Sequence, residues 1–255
     1  MKKQQRPLPW LNAGESFPAA CLAWGLDDLA PGLLAAGGTL DVTTLVRAYR
    51  QGIFPWYSDG QPILWWSPNP RMVLQTRQFK LHRSLRKTLH HFSDNQACEI
   101  RFDTAFTRVI KLCASKPRES QPGTWILPEM IAAYCALHAA GHAHSVETWV
   151  NGQMVGGLYC VNLGGMVFGE SMFADARDAS KIALSALVAF CRAHGIGMID
   201  CQQNTAHLAS LGAQEISQDI FLKEVAVAIC SRTPTWKFDP VYWKYLLPPK
   251  TPSST

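Results

Sequence analysis

The side chains best suited to chemistry stand at the end of a predicted strand, residues 197–202, which finishes with Asp200 and Gln202. Regular alternation would put both on one face of the sheet, where polar groups are unfavourable unless paired or functional. The amide oxygen of Gln202 can accept a hydrogen bond from an attacking amine. A neighbouring carboxylate can hold that amide and stabilise positive charge on the amine. The alternative is a buried Asp–Gln hydrogen bond with a structural role.

A further candidate, Glu170, is the lone acid of an otherwise apolar strand predicted from residue 166 to about residue 173. A carboxylate in such a strand needs a partner of opposite charge. That partner is either a Lys or Arg of the same chain, which is the commoner case, or a basic ligand.

Several familiar kinds of site are missing from the sequence. There is no Gly-x-Ser-x-Gly motif and no convincing Cys–His pair, so we expect no covalent acyl-enzyme. His142 and His144 offer two metal ligands without a third at a useful spacing, and we predict no metal and no cofactor. Residues 32–38 are rich in glycine but lack the Lys-Ser/Thr of a phosphate loop, so we interpret them as a turn with close backbone packing.

Positive charge is concentrated in one segment. Residues 60–93 contain no Asp or Glu, although the whole chain has a net charge of only +5. The cations of this window are Arg71, Arg77, Lys80, Arg83, Arg86 and Lys87. Such a segment attracts phosphate backbones; the alternative is a solvated helix face whose acidic partners lie elsewhere in the fold.

Aromatic residues are concentrated just before it. Trp56, Tyr57, Trp65 and Trp66 lie within two proline-containing stretches, residues 52–57 and 63–68. Aromatic faces in a cleft stack on nucleic acid bases or on an aromatic substrate. The alternative is a small aromatic core, which is the better interpretation for any single Trp.

The predicted elements suggest three parts: a small N-terminal domain over residues 1–70, a main domain over 71–235 and a partly disordered extension over 236–255. The first part has one clear helix, 42–51, capped by Asp41. The second has helices, then three antiparallel strands (143–150, 153–163 and 166–173), a helix over 178–194 and the strand 197–202. This succession predicts an α+β fold, similar to the acyltransferases of the GNAT-type superfamily.

Two further observations limit the class of protein. The connection 173–178, where GNAT-type enzymes hold coenzyme A pyrophosphate on glycines, has no glycine and two acids, so we expect a different acyl donor. No apolar leader follows the basic residues 1–6, and the eight cysteines form no Cys-x-x-Cys pair. We therefore expect a cytoplasmic protein that does not enter a membrane.

A long combination of motifs resembles the bacterial leucyl/phenylalanyl-tRNA–protein transferases. It extends from about residue 30 to residue 225 and is specific only as a whole. The matching stretches are 32–38, 52–56, Trp65-Trp66-Ser67-Pro68, 123–126, 141–147, 169–173, Ala179-Ser180-Lys181 and Ile199-Asp200-Cys201-Gln202.

The resemblance implies a reaction. Members of the family take Leu or Phe, and less readily Met, from tRNA and attach it to proteins that begin with Arg or Lys, which marks those proteins for degradation in the N-end rule pathway. It also implies a small N-terminal domain on a GNAT-like domain, no cofactor and a monomer. The ester bond of aminoacyl-tRNA is already activated, so the reaction needs neither ATP nor a metal.

The resemblance also assigns residues. Asp200 and Gln202 act on the α-amino group of the acceptor, Glu170 faces its basic first residue, and Ser171 belongs to the same substrate site. The remaining positions are Trp56 and Trp125 for the terminal adenosine, Leu158 and Leu187 for the donor side chain, and Arg83, Arg86 and Lys87 for the acceptor stem. Gln218 and Cys160 depart from the expected Arg and Gly; the first change weakens a phosphate contact or a structural one.

Three other functions compete with this one. A Fem-type aminoacyltransferase would need a duplicated acyltransferase domain, for which 255 residues are too few. A coenzyme A-dependent acetyltransferase disagrees with the glycine-free connection 173–178. A non-enzymatic RNA-binding module explains the basic segment and the aromatics but leaves Glu170, Asp200 and Gln202 without a role.

Overall fold

The computed structural model describes residues 7–116 and 126–248. The strands are β1 (Trp10–Leu11), β2 (Leu33–Gly37), β3 (Phe54–Pro55), β4 (Leu64–Trp66), β5 (Arg71–Gln75), β6 (Cys98–Phe102), β7 (Ala143–Val150), β8 (Gln153–Leu163), β9 (Met166–Ala174), β10 (Met198–Gln202) and β11 (Gln214–Ile216). The helices are α1 (Val42–Arg50), α2 (Arg83–Asp94), α3 (Phe106–Ser115), α4 (Pro128–Ala139), α5 (Ala179–Ala193), α6 (Ala206–Ser210) and α7 (Gln218–Ala228).

The N-terminal part forms a four-stranded sheet in the order β1-β2-β4-β3. The prediction of a turn for residues 32–38 is wrong, because most of this stretch is strand β2 inside that sheet. The small side chain of Ala35 lies opposite Trp65 of β4, and Trp65 Nε1 donates to Gly37 O at 2.8 Å. The glycines have positive φ values at the two ends of the strand, which explains why its sequence resembles a turn.

The main sheet has seven strands in the order β11-β5-β10-β9-β8-β7-β6. Strands β7, β8 and β9 form the predicted antiparallel run, and the β7–β8 hairpin turns at Asn151 and Gly152 with φ values of 50° and 71°. Strand β10 then lies parallel to β9 and antiparallel to β5. The predicted α+β class is confirmed, and the strand succession is the one expected from the GNAT-type resemblance.

Strands β6 and β11 were not predicted because they lie at the two edges of this sheet. An edge strand pairs on one side only, and most side chains of β6 and β11 stay partly exposed. The alternation of apolar and polar residues that identifies a half-buried strand is therefore weak in both.

Helix α5 packs across β7, β8 and β9 and is buried over most of its surface. Its first turn lies directly on β8, since a Cβ atom at Gly156 would come within 2.5 Å of Ala179 Cβ. A helix that is apolar on nearly all sides belongs inside the protein. With 15 residues α5 is too short to cross a bilayer, and no other helix of the described ranges could do so.

Residues 236–248 pack against α5 and the neighbouring strands. Trp236 Nε1 donates to Asn162 Oδ1 at 3.0 Å, and its indole stacks on His144 with ring centroids 4.1 Å apart. Trp243, Leu246 and Leu247 are buried. The segment predicted as an extension therefore completes the core of the main sheet as far as residue 248.

Candidate active site

A cleft of about 490 Å³ opens where β9 and β10 separate. These parallel strands pair at only two positions, Ile199 with Val167 and Asp200 with Phe168, and then diverge. The cleft is lined by β8, β9 and β10 of the main sheet, by helices α5 and α6, and by β3 of the N-terminal sheet with Trp56, which follows β3. The small sheet thus supplies one wall of the site.

Glu170 lies half-buried in this cleft and accepts three hydrogen bonds. Its Oε1 accepts from Tyr49 Oη at 2.7 Å and Gln202 Nε2 at 3.0 Å, and its Oε2 from Tyr134 Oη at 3.1 Å. Burial raises its pKa to about 7, although the two hydroxyls lower it and the charge of Asp200 raises it further. All three donors are neutral, and within residues 7–116 and 126–248 no Lys or Arg pairs with Glu170.

Two tyrosines that the sequence analysis missed hold this carboxylate. Tyr49 of α1 and Tyr134 of α4 are fully buried, and their hydroxyls also contact each other. Burial, and then the charge of Glu170, raise the pKa of both phenols well above the usual value, so both remain donors. A buried Tyr requires a polar partner, but the sequence does not show which acid it is.

Asp200 is fully buried and ion-paired. Arg71 Nε and Nη2 donate to its two oxygens at 2.8 and 2.7 Å, and the guanidinium lies between the rings of Phe54 and Phe221. Asp200 Oδ1 also accepts from the backbone N–H of Gln202 at 2.9 Å. Asp200 therefore positions Gln202 through the main chain, and Arg71 is removed from the predicted basic surface.

The prediction that Asp200 and Gln202 share a face is wrong. Asp200 lies opposite Val73 of β5, whereas Gln202 lies opposite Met72, so one residue has been inserted as a bulge. Gln202 adopts a φ of 62°, in the left-handed region. The bulge reverses the alternation and lets the Gln202 side chain reach Glu170, while Asp200 faces Arg71.

The cleft continues into an apolar pocket. Leu158 of β8 and Leu187 of α5, both predicted for the donor side chain, line it together with Leu184 and Ile199. Ser171, also predicted for this site, lies on its wall, nearly buried. The predicted residues Glu170, Gln202, Leu158, Leu187 and Ser171 thus come together in one cleft.

Of the two tryptophans predicted for adenosine, one can be located. Trp56 is half-buried and lines the cleft, its ring against Trp66 at 5.4 Å between centroids. Trp66 Nε1 donates to the carbonyl oxygen of Trp56 at 2.6 Å and so fixes the loop. Trp65, by contrast, is fully buried in the small sheet. Trp125 lies outside the described residues.

Helix α2 carries Arg83, Arg86 and Lys87 exposed on its surface. Within the described part of the chain none of the three forms an ion pair, so the alternative of acidic partners elsewhere in the fold finds no support there. The segment before α2 is attached to the end of α6, because His82 Nε2 lies 2.7 Å from Ser210 O.

Of the predicted pair, His144 lies near two other possible metal ligands, His138 and Asp103, whereas His142 does not belong to this group. His144 Nδ1 lies 2.7 Å from Asp103 Oδ2, and Asp103 Oδ1 accepts from the backbone of Ser145. His138 Nδ1 is 2.8 Å from Ala143 O. These contacts already use the nearest ligand atoms, and a metal would have to displace them.

Comparison with known proteins decides the family. The family model described as leucyl/phenylalanyl-tRNA protein transferase matches residues 73–226, and the one for its N-terminal domain matches residues 38–69. A leucyl/phenylalanyl-tRNA–protein transferase from Polaromonas sp. is 66% identical over 253 residues, 99% of each chain. One from Albidiferax ferrireducens is 60% identical over 254 residues, 100% of each. The chain belongs to the leucyl/phenylalanyl-tRNA protein transferase family.

Solved structures are more distant from this member of the leucyl/phenylalanyl-tRNA protein transferase family. FemX is 10% identical with a TM-score of 0.42, over 68% of this chain and 66% of that one. The structure of L-PGS from Bacillus licheniformis is 9% identical with a TM-score of 0.35, over 69% and 57%.

The two residues that depart from the pattern of the leucyl/phenylalanyl-tRNA protein transferases, Gln218 and Cys160, are both buried. Gln218 is buried, and its Nε2 donates to Ser67 O at 2.8 Å and to Ala20 O at 3.2 Å. These hydrogen bonds connect α7 to the N-terminal part, so Gln218 has a structural role. Cys160 is buried in β8, where its Sγ faces the carbonyl oxygen of His144 at 3.7 Å.

Proposed function

We propose that the protein transfers Leu or Phe, and less readily Met, from aminoacyl-tRNA to the α-amino group of proteins that begin with Arg or Lys, creating a degradation signal. The observation that carries the proposal is Glu170, a half-buried carboxylate of the cleft whose described hydrogen-bond donors are all neutral. The names of the relatives, which specify leucyl- and phenylalanyl-tRNA and a protein, support the same reaction.

The acceptor is selected by charge. A carboxylate withdrawn from water is unfavourable unless an opposite charge compensates it, and the first side chain of an Arg or Lys protein supplies that charge. The pKa of Glu170, near 7, keeps much of it ionised at neutral pH. An acceptor that begins with a neutral residue would leave the charge uncompensated and would bind more weakly.

The donor is selected by shape and hydrophobicity. The pocket walls Leu158, Leu184, Leu187 and Ile199 offer no charge to an incoming side chain. Burying a Leu, Phe or Met side chain there contributes about 1.5–3 kcal/mol, whereas a polar side chain would lose its hydration without a partner. The terminal adenosine would lie near Trp56, whose ring is available for stacking.

Gln202 acts on the attacking amine. Its Nε2 is held by Glu170, and within the described residues its amide oxygen accepts no hydrogen bond, so that oxygen can orient the amine. The amine lone pair attacks the ester carbonyl carbon and the bond to the ribose oxygen breaks. The proton lost by the amine ends on the released hydroxyl. An α-amino group has a pKa of about 7.7–8.0, so a useful fraction is neutral, and positioning replaces a strong base.

The exposed cations of α2 would hold the acceptor stem of tRNA by phosphate contacts that weaken with salt.

We place the reaction in the cytoplasm, where charged tRNA is made, with the protein acting as a monomer. Two alternative functions can be distinguished from this one by experiment. An RNA-binding module would bind tRNA without transfer, and a Fem-type transferase would act on a cell-wall precursor instead of a protein.

The first test mixes the purified protein with radiolabelled Leu-tRNA and two peptides that differ only in starting with Arg or with Ala. We expect label on the Arg peptide alone, without ATP or added metal. Saturable binding of tRNA with no transfer to either peptide would reject the enzyme and favour the RNA-binding module. Equal labelling of both peptides would retain the transferase but reject Glu170 as the selector.

A further inference from the structure

Two basic side chains beside the cleft, His207 and Lys181, have no part in the reaction proposed above. His207 of α6 lines the cleft and is largely exposed. Lys181 lies in the first turn of α5, three residues before Leu184, which lines the apolar pocket. Residues three apart share a face of a helix, so Lys181 lies about one helical turn from the pocket wall, close enough to His207 for its charge to act on that ring.

These residues are continuous with the basic helix. His207 and Ser210 lie on the same face of α6, and Ser210 O is 2.7 Å from His82 Nε2, directly before Arg83 of α2. A second contact, from Lys80 N to Leu211 O at 2.8 Å, fixes the same junction. Helix α6 therefore joins the cleft to the surface that carries Arg83, Arg86 and Lys87.

The acids near Lys181 do not cancel the positive charge there. Lys181 Nζ lies 2.9 Å from Asp178 Oδ1, but the same carboxylate is also shared with Arg177, whose side chain is 94% exposed. Asp175 has its own partner in Lys116. Two cations therefore face the single charge of Asp178, and the two acids of this connection are each compensated.

The imidazole of His207 can act as a donor in either protonation state. Burial, and then the nearby charge of Lys181, lower its pKa, which favours the neutral ring in the free protein. A neutral imidazole retains one N–H donor. A phosphate oxygen placed between the two side chains would meet that donor and the ammonium group together.

We propose that Lys181 and His207 bind the phosphodiester groups of the single-stranded 3′ end of tRNA, between the terminal adenosine in the cleft and the acceptor stem on α2. This inference rests on the proposed function. Single strands are held by positive charges that follow the backbone, with aromatic faces for the bases. In this arrangement the terminal adenosine stacks on Trp56, and the phosphodiester groups next to it contact Lys181 and His207. The acceptor stem then reaches helix α2.

The test compares two donors that differ in phosphate. Leucyl-adenosine carries the ester and the base without any phosphodiester, whereas Leu-tRNA carries the whole 3′ end. For a Lys181→Met, His207→Ala double variant we expect the KM for Leu-tRNA to rise about tenfold at low salt, with the log–log salt slope reduced by about 1. The KM for leucyl-adenosine and the kcat with either donor should stay within about twofold. Lys223→Met, on the exposed side of α7, is the matched control and should change neither donor.

The results that differ from this expectation can also be interpreted. An equal rise of KM for both donors would assign the two residues to the cleft itself and overturn the inference, as would no change with Leu-tRNA. Failure of the unsubstituted protein to transfer from either donor would reject the proposed function, and this inference with it. An unchanged melting temperature of the double variant confirms that a rise confined to Leu-tRNA is not a folding defect.

Discussion

Glu170 and Asp200 are carboxylates of the same site with opposite surroundings. Asp200 is fully buried and receives both arms of the Arg71 guanidinium, while Glu170 is half-buried and, among residues 7–116 and 126–248, receives only neutral donors. The first charge is compensated within the fold. The second has no cationic partner among the described residues, and burial raises the pKa of Glu170 to about 7. Under the proposed function, Glu170, which has no cationic partner among the described residues, would recognise the substrate, and the paired Asp200 would maintain the geometry.

The same chemical change at the two carboxylates should lower the stability of the protein in one case and not in the other. Asp200→Asn leaves the guanidinium of Arg71 buried without a counter-charge, and we expect a loss of about 3–5 kcal/mol in the free energy of unfolding. Glu170→Gln removes a charge that lacks a cation and keeps an acceptor oxygen for Tyr49, so we expect no loss. Urea denaturation of both variants measures the difference.

The neighbouring substitution Arg71→Met provides the control. Combined with Asp200→Asn, it removes both charges and leaves an apolar side chain between Phe54 and Phe221, so part of the lost stability should return. If Asp200→Asn alone is as stable as the unsubstituted protein, the ion pair has no structural role and the comparison fails.

The acceptor preference should depend on pH through Glu170. With peptides that begin with Arg or with its neutral analogue citrulline, the ratio of kcat/KM values should have its transition midpoint near pH 7 and level off about one unit above it. It should fall by up to about tenfold per unit below that pH, because the protonated acid no longer attracts the guanidinium. Ionisation of the α-amino group affects both peptides alike and cancels in the ratio. A ratio that is flat from pH 5 to 8 would contradict the assignment.

Tyr49→Phe should move this transition by a smaller amount. The Tyr49 hydroxyl donates to Glu170 and lowers its pKa, so its removal should raise the midpoint of the transition above 7. A hydrogen bond to a charged group contributes about 1.5–3 kcal/mol at most, and the expected shift is about 0.5–1 pH unit since Tyr134 and Gln202 remain. A downward shift would mean that the phenol does not stabilise the ionised acid. Tyr57→Phe, whose hydroxyl contacts Glu129 instead, should leave the midpoint in place.

Local patterns in the sequence were sufficient for elements with strong signals. Asp41 caps α1 by accepting from Thr44 N at 2.9 Å, as predicted, and the Asn151-Gly152 pair forms the expected hairpin. The family resemblance also pointed to Glu170, Leu158 and Leu187, which meet in one cleft. For the cap and the hairpin, the information lies within a few residues of the feature, whereas the cleft residues depend on the whole combination of motifs.

The contacts that distinguish Glu170 from Asp200 could not be predicted, because they join distant parts of the chain. Arg71 and Asp200 are 129 positions apart, and Tyr49 and Glu170 are 121 apart. The bulge at Gln202 depends on how β10 pairs with β5, whereas alternation assumes a constant register. The sequence therefore identified Glu170, Asp200 and Gln202 but neither the two tyrosines that hold Glu170 nor which acid would be paired.

The central claim is that the charge of Glu170 selects acceptors that begin with a basic residue. It is tested most directly by measuring transfer of labelled Leu from tRNA to the Arg and citrulline peptides, with the unsubstituted protein and with Glu170→Gln. We predict a preference for Arg of about 10–100-fold in the first case, the range for a charged hydrogen bond, and none in the second, with the KM for Leu-tRNA unchanged. A Glu170→Gln variant that still prefers Arg to the same extent would contradict the account.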